Sequence, residues 1–129
     1  MRASEQAQTI QQYIAAYNAF DVDGMLALLS PEVRFENWSG GELTTVASGA
    51  DEFRRLAHHA KAMFTEREQR ITSLEQSEDS IIVSIAYRGK LALDIPDGPC
   101  AGTLLELDGV SEFAFKDKLI SHIVDRSER

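Results

Sequence analysis

Ile10, Tyr13, Ile14, Tyr17 and Phe20 recur at the alternating three- and four-residue spacing of one helical face, with Gln11, Gln12 and Asn18 on its polar borders. The spacing predicts a first helix. Asp21 is well placed to cap a second, short helix whose Met25, Leu26, Leu28 and Leu29 form an apolar stripe and which Pro31 terminates. The period then drops to two. Val33, Phe35 and Asn37 alternate with Arg34 and Glu36, so a strand begins whose inward face ends on an amide. Trp38 and the turn Ser39-Gly40-Gly41 lead into a weaker strand from Leu43 to Ala47, closing a short hairpin.

A third helix is expected from Ser48 or Gly49 to about Thr65, with Asp51 and Glu52 favourably placed in its first turn. Its inward stripe is Phe53, Leu56, Ala57, Ala60, Met63 and Phe64. Beyond it, strands are expected over about 67–76, 80–94, 102–116 and 118–127, separated by turn-forming residues. Helices first and long strands after form an α+β pattern: a curved antiparallel sheet wrapping three N-terminal helices around one cavity, in one domain spanning 1–129.

Composition changes this picture in two ways. With 13 Lys and Arg against 21 Asp and Glu, a net charge of −8 disfavours nucleic acid and anionic membrane surfaces as partners. The lone cysteine, Cys100, allows no intrachain disulfide, and no apolar run suits a signal peptide or a membrane span, so a cytoplasmic location is expected.

Four segments carry a family resemblance: the helix pair YIAAYNAFDVDGMLALL, the strand PEVRFEN, the helix start SGADEF and the ending GVSEFAFKDKLISHIVDRS. Together they resemble the nuclear-transport-factor-2-like superfamily, in its SnoaL-like and ketosteroid-isomerase-like branch. The resemblance implies a cone-shaped, cystatin-like α+β barrel with a ligand cavity, and a homodimer through the outer sheet face. Tyr13 matches the tyrosine that donates a hydrogen bond to the oxyanion in such isomerases. Asn37 stands where they carry the aspartate base, and Ser111 where they carry a protonated aspartate as second oxyanion donor. An amide takes up no proton near neutrality, so steroid isomerisation by that route is disfavoured. The segment LALDIPDGPCAGTLLELDG looks instead like the broad SnoaL-like group.

His122 is the candidate replacement for the missing base. Alternation along the last strand puts Ile120, His122 and Val124 on one face, and the resemblance turns that face toward the cavity. In this scheme His122 carries the proton, Tyr13 and Ser111 donate to an oxyanion, and Asn37 orients the ligand. Trp38, His59 and Phe113 complete the expected binding set, His59 flanking the stripe near Leu56 and Met63.

His58 and His59 are adjacent on a helix and point about 100° apart, so no metal site is expected. No Gly-rich phosphate loop or nucleophile elbow occurs, and no cofactor is expected. Two readings stay open. One is a cofactor-free isomerase or cyclase acting by acid–base chemistry on a small hydrophobic ring-containing molecule. The other is a non-catalytic ligand-binding or dimerisation module. Ile82, Ala86, Val110 and Ala114 would form the apolar part of the dimer face.

Overall fold

The computed structural model describes residues 2–127. Helix α1 runs from Ala3 to Asn18 and buries Ile10, Tyr13 and Ile14, the face its spacing requires. Helix α2, Val22–Leu26, is capped by Asp21, whose carboxylate accepts from the Gly24 amide at 2.9 Å. A side chain at Gly24 would collide with that carboxylate, which is why glycine fills the first turn. Strand β1, Leu29–Ser39, begins earlier than the sequence suggested: Leu29 is buried in the strand, and Pro31 lies within the strand rather than ending a helix.

The hairpin partner β2 spans Glu42–Ser48, and α3 follows over Ala50–Ala62. Four strands complete the sheet: β3 Phe64–Gln76, β4 Ile81–Leu91, β5 Leu104–Lys116 and β6 Leu119–Ser127. The strand order is β2-β1-β6-β5-β4-β3, leaving a curved, unclosed sheet with β2 and β3 at its edges. The expected antiparallel sheet is mixed at one seam. Helix α3 carries the chain across to the far edge, the meander returns strand by strand, and β6 docks beside β1 in parallel.

Ile10 and Ile14 of α1 join Val33, Ile81, Val83, Phe113, Ile120 and Ile123 from the sheet's inner face in one buried cluster. Each fully buried side chain of this kind stabilises the fold by about 1.5–3 kcal/mol. The C-terminal end of α1 is tied to β3 by a two-way amide bridge: Asn18 Nδ2 donates to the Gln69 carbonyl at 3.0 Å, and Asn18 Oδ1 accepts from the Gln69 amide at 2.7 Å.

One irregularity decides which side chains of β6 face inward. Phe115 pairs with Ile120, yet its neighbour Ala114 pairs with His122, so Ser121 is an extra residue in β6. Such a bulge resets the alternation. Ile120 and Ile123 are therefore both buried, although they differ in parity, and His122 faces out. No helix among the described residues is long and apolar enough to cross a membrane.

Candidate functional site

Between α1, α3 and the inner face of the sheet lies a cavity of about 340 Å³, whose walls include Tyr13, Tyr17, Phe35, Asn37, Arg67 and Asp125. A second hollow of about 250 Å³ shares Tyr17, Asn37, Gln69 and Asp125 with it and adds Ser111 and the Gly109 end of β5. Asp125 thus borders both. A larger concavity, about 1130 Å³, is an open groove past Trp38, Ser84, Val110 and Arg126. It contains neither Tyr13 nor Asp125, and size alone does not make it the site.

Register places Asp125 in the middle of a polar row, paired with Asn37 on β1 and with Ser111 on β5. The buried Ser111 donates its hydroxyl to Asp125 Oδ1 at 2.6 Å. Burial disfavours the carboxylate and pushes its pKa up from 3.8 to about 6, with the serine bond pulling the other way. The acid is thereby poised to exchange a proton near neutral pH.

Tyr13 is buried and packs edge-to-face on Phe113 at 5.8 Å between ring centroids. Burial first, and the Asp125 charge second, hold its hydroxyl pKa well above the ordinary value, so it stays a neutral donor. Burial foremost raises the pKa of both Tyr17 and Tyr87. Asn37 Nδ2 donates to Thr44 Oγ1 at 2.9 Å and to Ser39 Oγ at 3.3 Å, which fixes the amide at the cavity wall.

The sequence-based candidates divide. Tyr13 and Asn37 line the main cavity, and Ser111 the adjoining one. Phe113 lies behind Tyr13 in the core. His59 is exposed on α3, because the buried face of that helix runs through Phe53 and Ala57.

His122 and Trp38 lie on the outer side of the sheet, which corrects the expected direction of His122. His122 Nε2 is 2.9 Å from Glu36 Oε2, the oxygen that Arg34 Nε also reaches at 3.0 Å, while Trp38 Nε1 donates to Glu36 Oε1 at 3.1 Å. These three partners, His122 foremost, lower the Glu36 pKa from 4.5 to about 2. The bulge at Ser121 is the reason: alternation counted from Ile120 turns His122 inward, whereas the real inward row is Ile123 and Asp125. Asp125 went unnoticed in the sequence, although an aspartate two residues beyond a buried isoleucine is the signal that counting from Ile123 would have found.

A family model described as a SnoaL-like domain matches residues 10–123. No curated protein matches the chain. Among solved structures, a protein provisionally assigned as a polyketide cyclase from Xanthomonas campestris pv. campestris superposes with a TM-score of 0.80 at 19% identity, over 95% of this chain and 90% of its own. An uncharacterised cystatin-fold protein from Novosphingobium aromaticivorans gives 0.71 at 20% identity, over 92% and 94%. TerC, co-crystallised with polyporic acid, gives 0.74 at 16% identity, over 94% and 89%. At these identities the likeness is one of fold.

Proposed function

The chain belongs to the SnoaL-like domain family, and from that premise we propose that it performs acid–base chemistry on a small, hydrophobic, ring-containing or polyketide-like carbonyl compound held in the cavity, with Asp125 moving the proton. The observation that carries this reading is the placement of Asp125: it borders the cavity, bonds to Ser111 and has a pKa raised to about 6. The provisional cyclase assignment and the polyporic acid complex of two fold neighbours support the substrate class.

In this reading the Asp125 carboxylate takes a proton from the carbon beside a carbonyl. The C–H electron pair becomes the new carbon–carbon double bond, the carbonyl π pair moves onto the oxygen, and the resulting enolate oxygen accepts a hydrogen bond from Tyr13. Asp125 then returns the proton, either to another carbon, which isomerises the substrate, or to the alkoxide formed when the enolate carbon attacks a second carbonyl and closes a ring. Asn37, one strand away, orients the ligand. The same family resemblance supports a homodimer through the outer sheet face, where Val110 is exposed. A sedimentation coefficient corresponding to 14.3 kDa at micromolar concentration would oppose that dimer.

The test is carbon-bound proton exchange. Cyclic and aromatic 1,3-dicarbonyl compounds incubated in deuterated water with the protein should exchange faster than without it, and Asp125→Asn should slow this by about 100-fold or more. His122→Gln should leave it unchanged. Equal rates for Asp125→Asn and the unaltered protein would overturn the assignment. Ligand retention without any exchange would favour a non-catalytic binding module.

A further inference from the structure

Arg67 of β3 is an anomaly among the arginines. Arg34, Arg54 and Arg126 lie at the surface, and each has a carboxylate oxygen within 3.0 to 3.3 Å. Arg67 is only 6% exposed, yet it makes no ion pair among the described residues. Its Nε donates to the Tyr17 carbonyl at 3.1 Å, and its guanidinium carbon lies 3.7 Å from the centroid of the Tyr17 ring and 4.5 Å from that of Phe20. Two aromatic faces and one carbonyl moderate the charge without neutralising it. A guanidinium does not shed its proton when buried, so the cation persists.

This unneutralised cation lines the same cavity as Asp125. The carboxylate that would most simply neutralise it is bonded instead to Ser111, so two opposite charges share one hollow without pairing. A fold requiring only a rigid link between α1 and β3 already has one in the Asn18–Gln69 amide bridge. A planar fork with spare donors, stacked on aromatic rings and facing a cavity, has the geometry that suits a delocalised oxyanion.

We propose that Arg67 is the specificity-determining residue of the cavity and that the ligand is an organic anion: a ring-containing molecule bearing a carboxylate or an ionised enol oxygen. Arg67 holds that oxyanion and presents the remainder of the ring system toward Asp125. The inference rests on the reading that the cavity takes a small cyclic substrate. It narrows that class to anions and adds a recognition residue distinct from Tyr13 and Asp125.

The experiment compares matched probes at neutral pH by calorimetry: 2-naphthoate against 2-naphthamide, and 2-hydroxy-1,4-naphthoquinone against its 2-methoxy ether. The first pair reads carboxylate preference and the second enolate preference. The unaltered protein should bind at least one anion about tenfold tighter than its neutral partner. Arg67→Gln should bring that ratio close to one, and Arg67→Lys should retain part of it, because a point charge replaces the fork.

Should Arg67→Gln fail to fold, the Lys variant and the shift of the Arg67 Nε resonance on titrating the anion into the unaltered protein decide the matter. Equal affinities within both pairs, no binding of either anion up to about 5 mM, or an unchanged ratio in the Arg67 variants would overturn the proposal. An anion preference that survives Asp125→Asn, alongside exchange that ignores Asp125, would sink the acid–base reading and leave this one standing. Asp125-dependent exchange without any anion preference would do the reverse.

Discussion

Ser111 and Asp125 are register partners on β5 and β6, and the 2.6 Å hydrogen bond between them tempers the effect of burial on the cavity's only lining carboxylate among the described residues. The serine stabilises the charged form, while burial opposes it more strongly. The resulting value of about 6 is a balance between burial and that one hydrogen bond. Each can be altered separately.

Replacing Ser111 by alanine removes the hydrogen bond that stabilises the charged carboxylate. The Asp125 pKa should rise further, by roughly one to two, because a hydrogen bond to a charged group contributes about 1.5–3 kcal/mol. The acidic limb of the exchange-rate profile should then move to higher pH while the plateau at pH 9 changes little. A profile superimposable on that of the unaltered protein would show that the bond does not tune the acid.

Asp125 should also weaken the fold at the pH where it is ionised. Its pKa in the folded chain lies above the ordinary 3.8, so the native state prefers the neutral carboxyl. The group's contribution is complete below about pH 4 and is lost as pH rises through about 6. Asp125→Asn, uncharged throughout, should gain stability over the unaltered protein by about 1–3 kcal/mol at pH 8 and little or nothing at pH 4. Urea denaturation at the two pH values measures this, and a gain that did not depend on pH would contradict it.

Glu36 behaves in the opposite sense. Its pKa of about 2 lies below the ordinary 4.5, so its stabilising contribution is present above pH 4.5 and disappears as pH falls through about 2. Glu36→Gln should cost about 1 kcal/mol at pH 7, a modest figure because His122 and Arg34 are partly solvated. Proton exchange in the cavity should be unaffected, since the trio sits on the other side of the sheet. A large fall in exchange would mean that the outer network governs the inner acid.

The amide bridge from Asn18 to Gln69 fixes the end of α1 next to Tyr17 and Arg67. Asn18→Ala should destabilise the fold by about 1–3 kcal/mol and weaken binding of anionic probes, because the Gln69 amide and carbonyl lose their partner and the aromatic face beneath Arg67 loosens. Thermal melting and calorimetry on the same sample report both effects. Unchanged affinity in a destabilised variant would assign the bridge to stability alone.

Most elements could be read from the sequence because their periods are clean: Ile10, Tyr13 and Ile14 on α1, and Val33 with Phe35 on β1, face where their spacing puts them. The site was readable only in part, for a local reason. One unpaired residue at Ser121 shifts everything after it to the other face, and no propensity marks a serine as a bulge. That slip exchanged His122 for Asp125 as the inward group. Arg67 escaped notice because a charged residue in a strand is ordinarily solvated, and its burial depends on Tyr17 and Phe20 closing over it from α1 and the turn that follows.

Strand β6 is made after β5 but sits between β5 and β1, and its contact with Glu36 spans 86 positions. The β1–β2 hairpin at one edge and the β3–β5 meander at the other are therefore joined through a single strand, the last of the sheet in chain order. That joining strand also bears Asp125, so a chain in which it came undocked would lose a cavity wall and the proposed acid together.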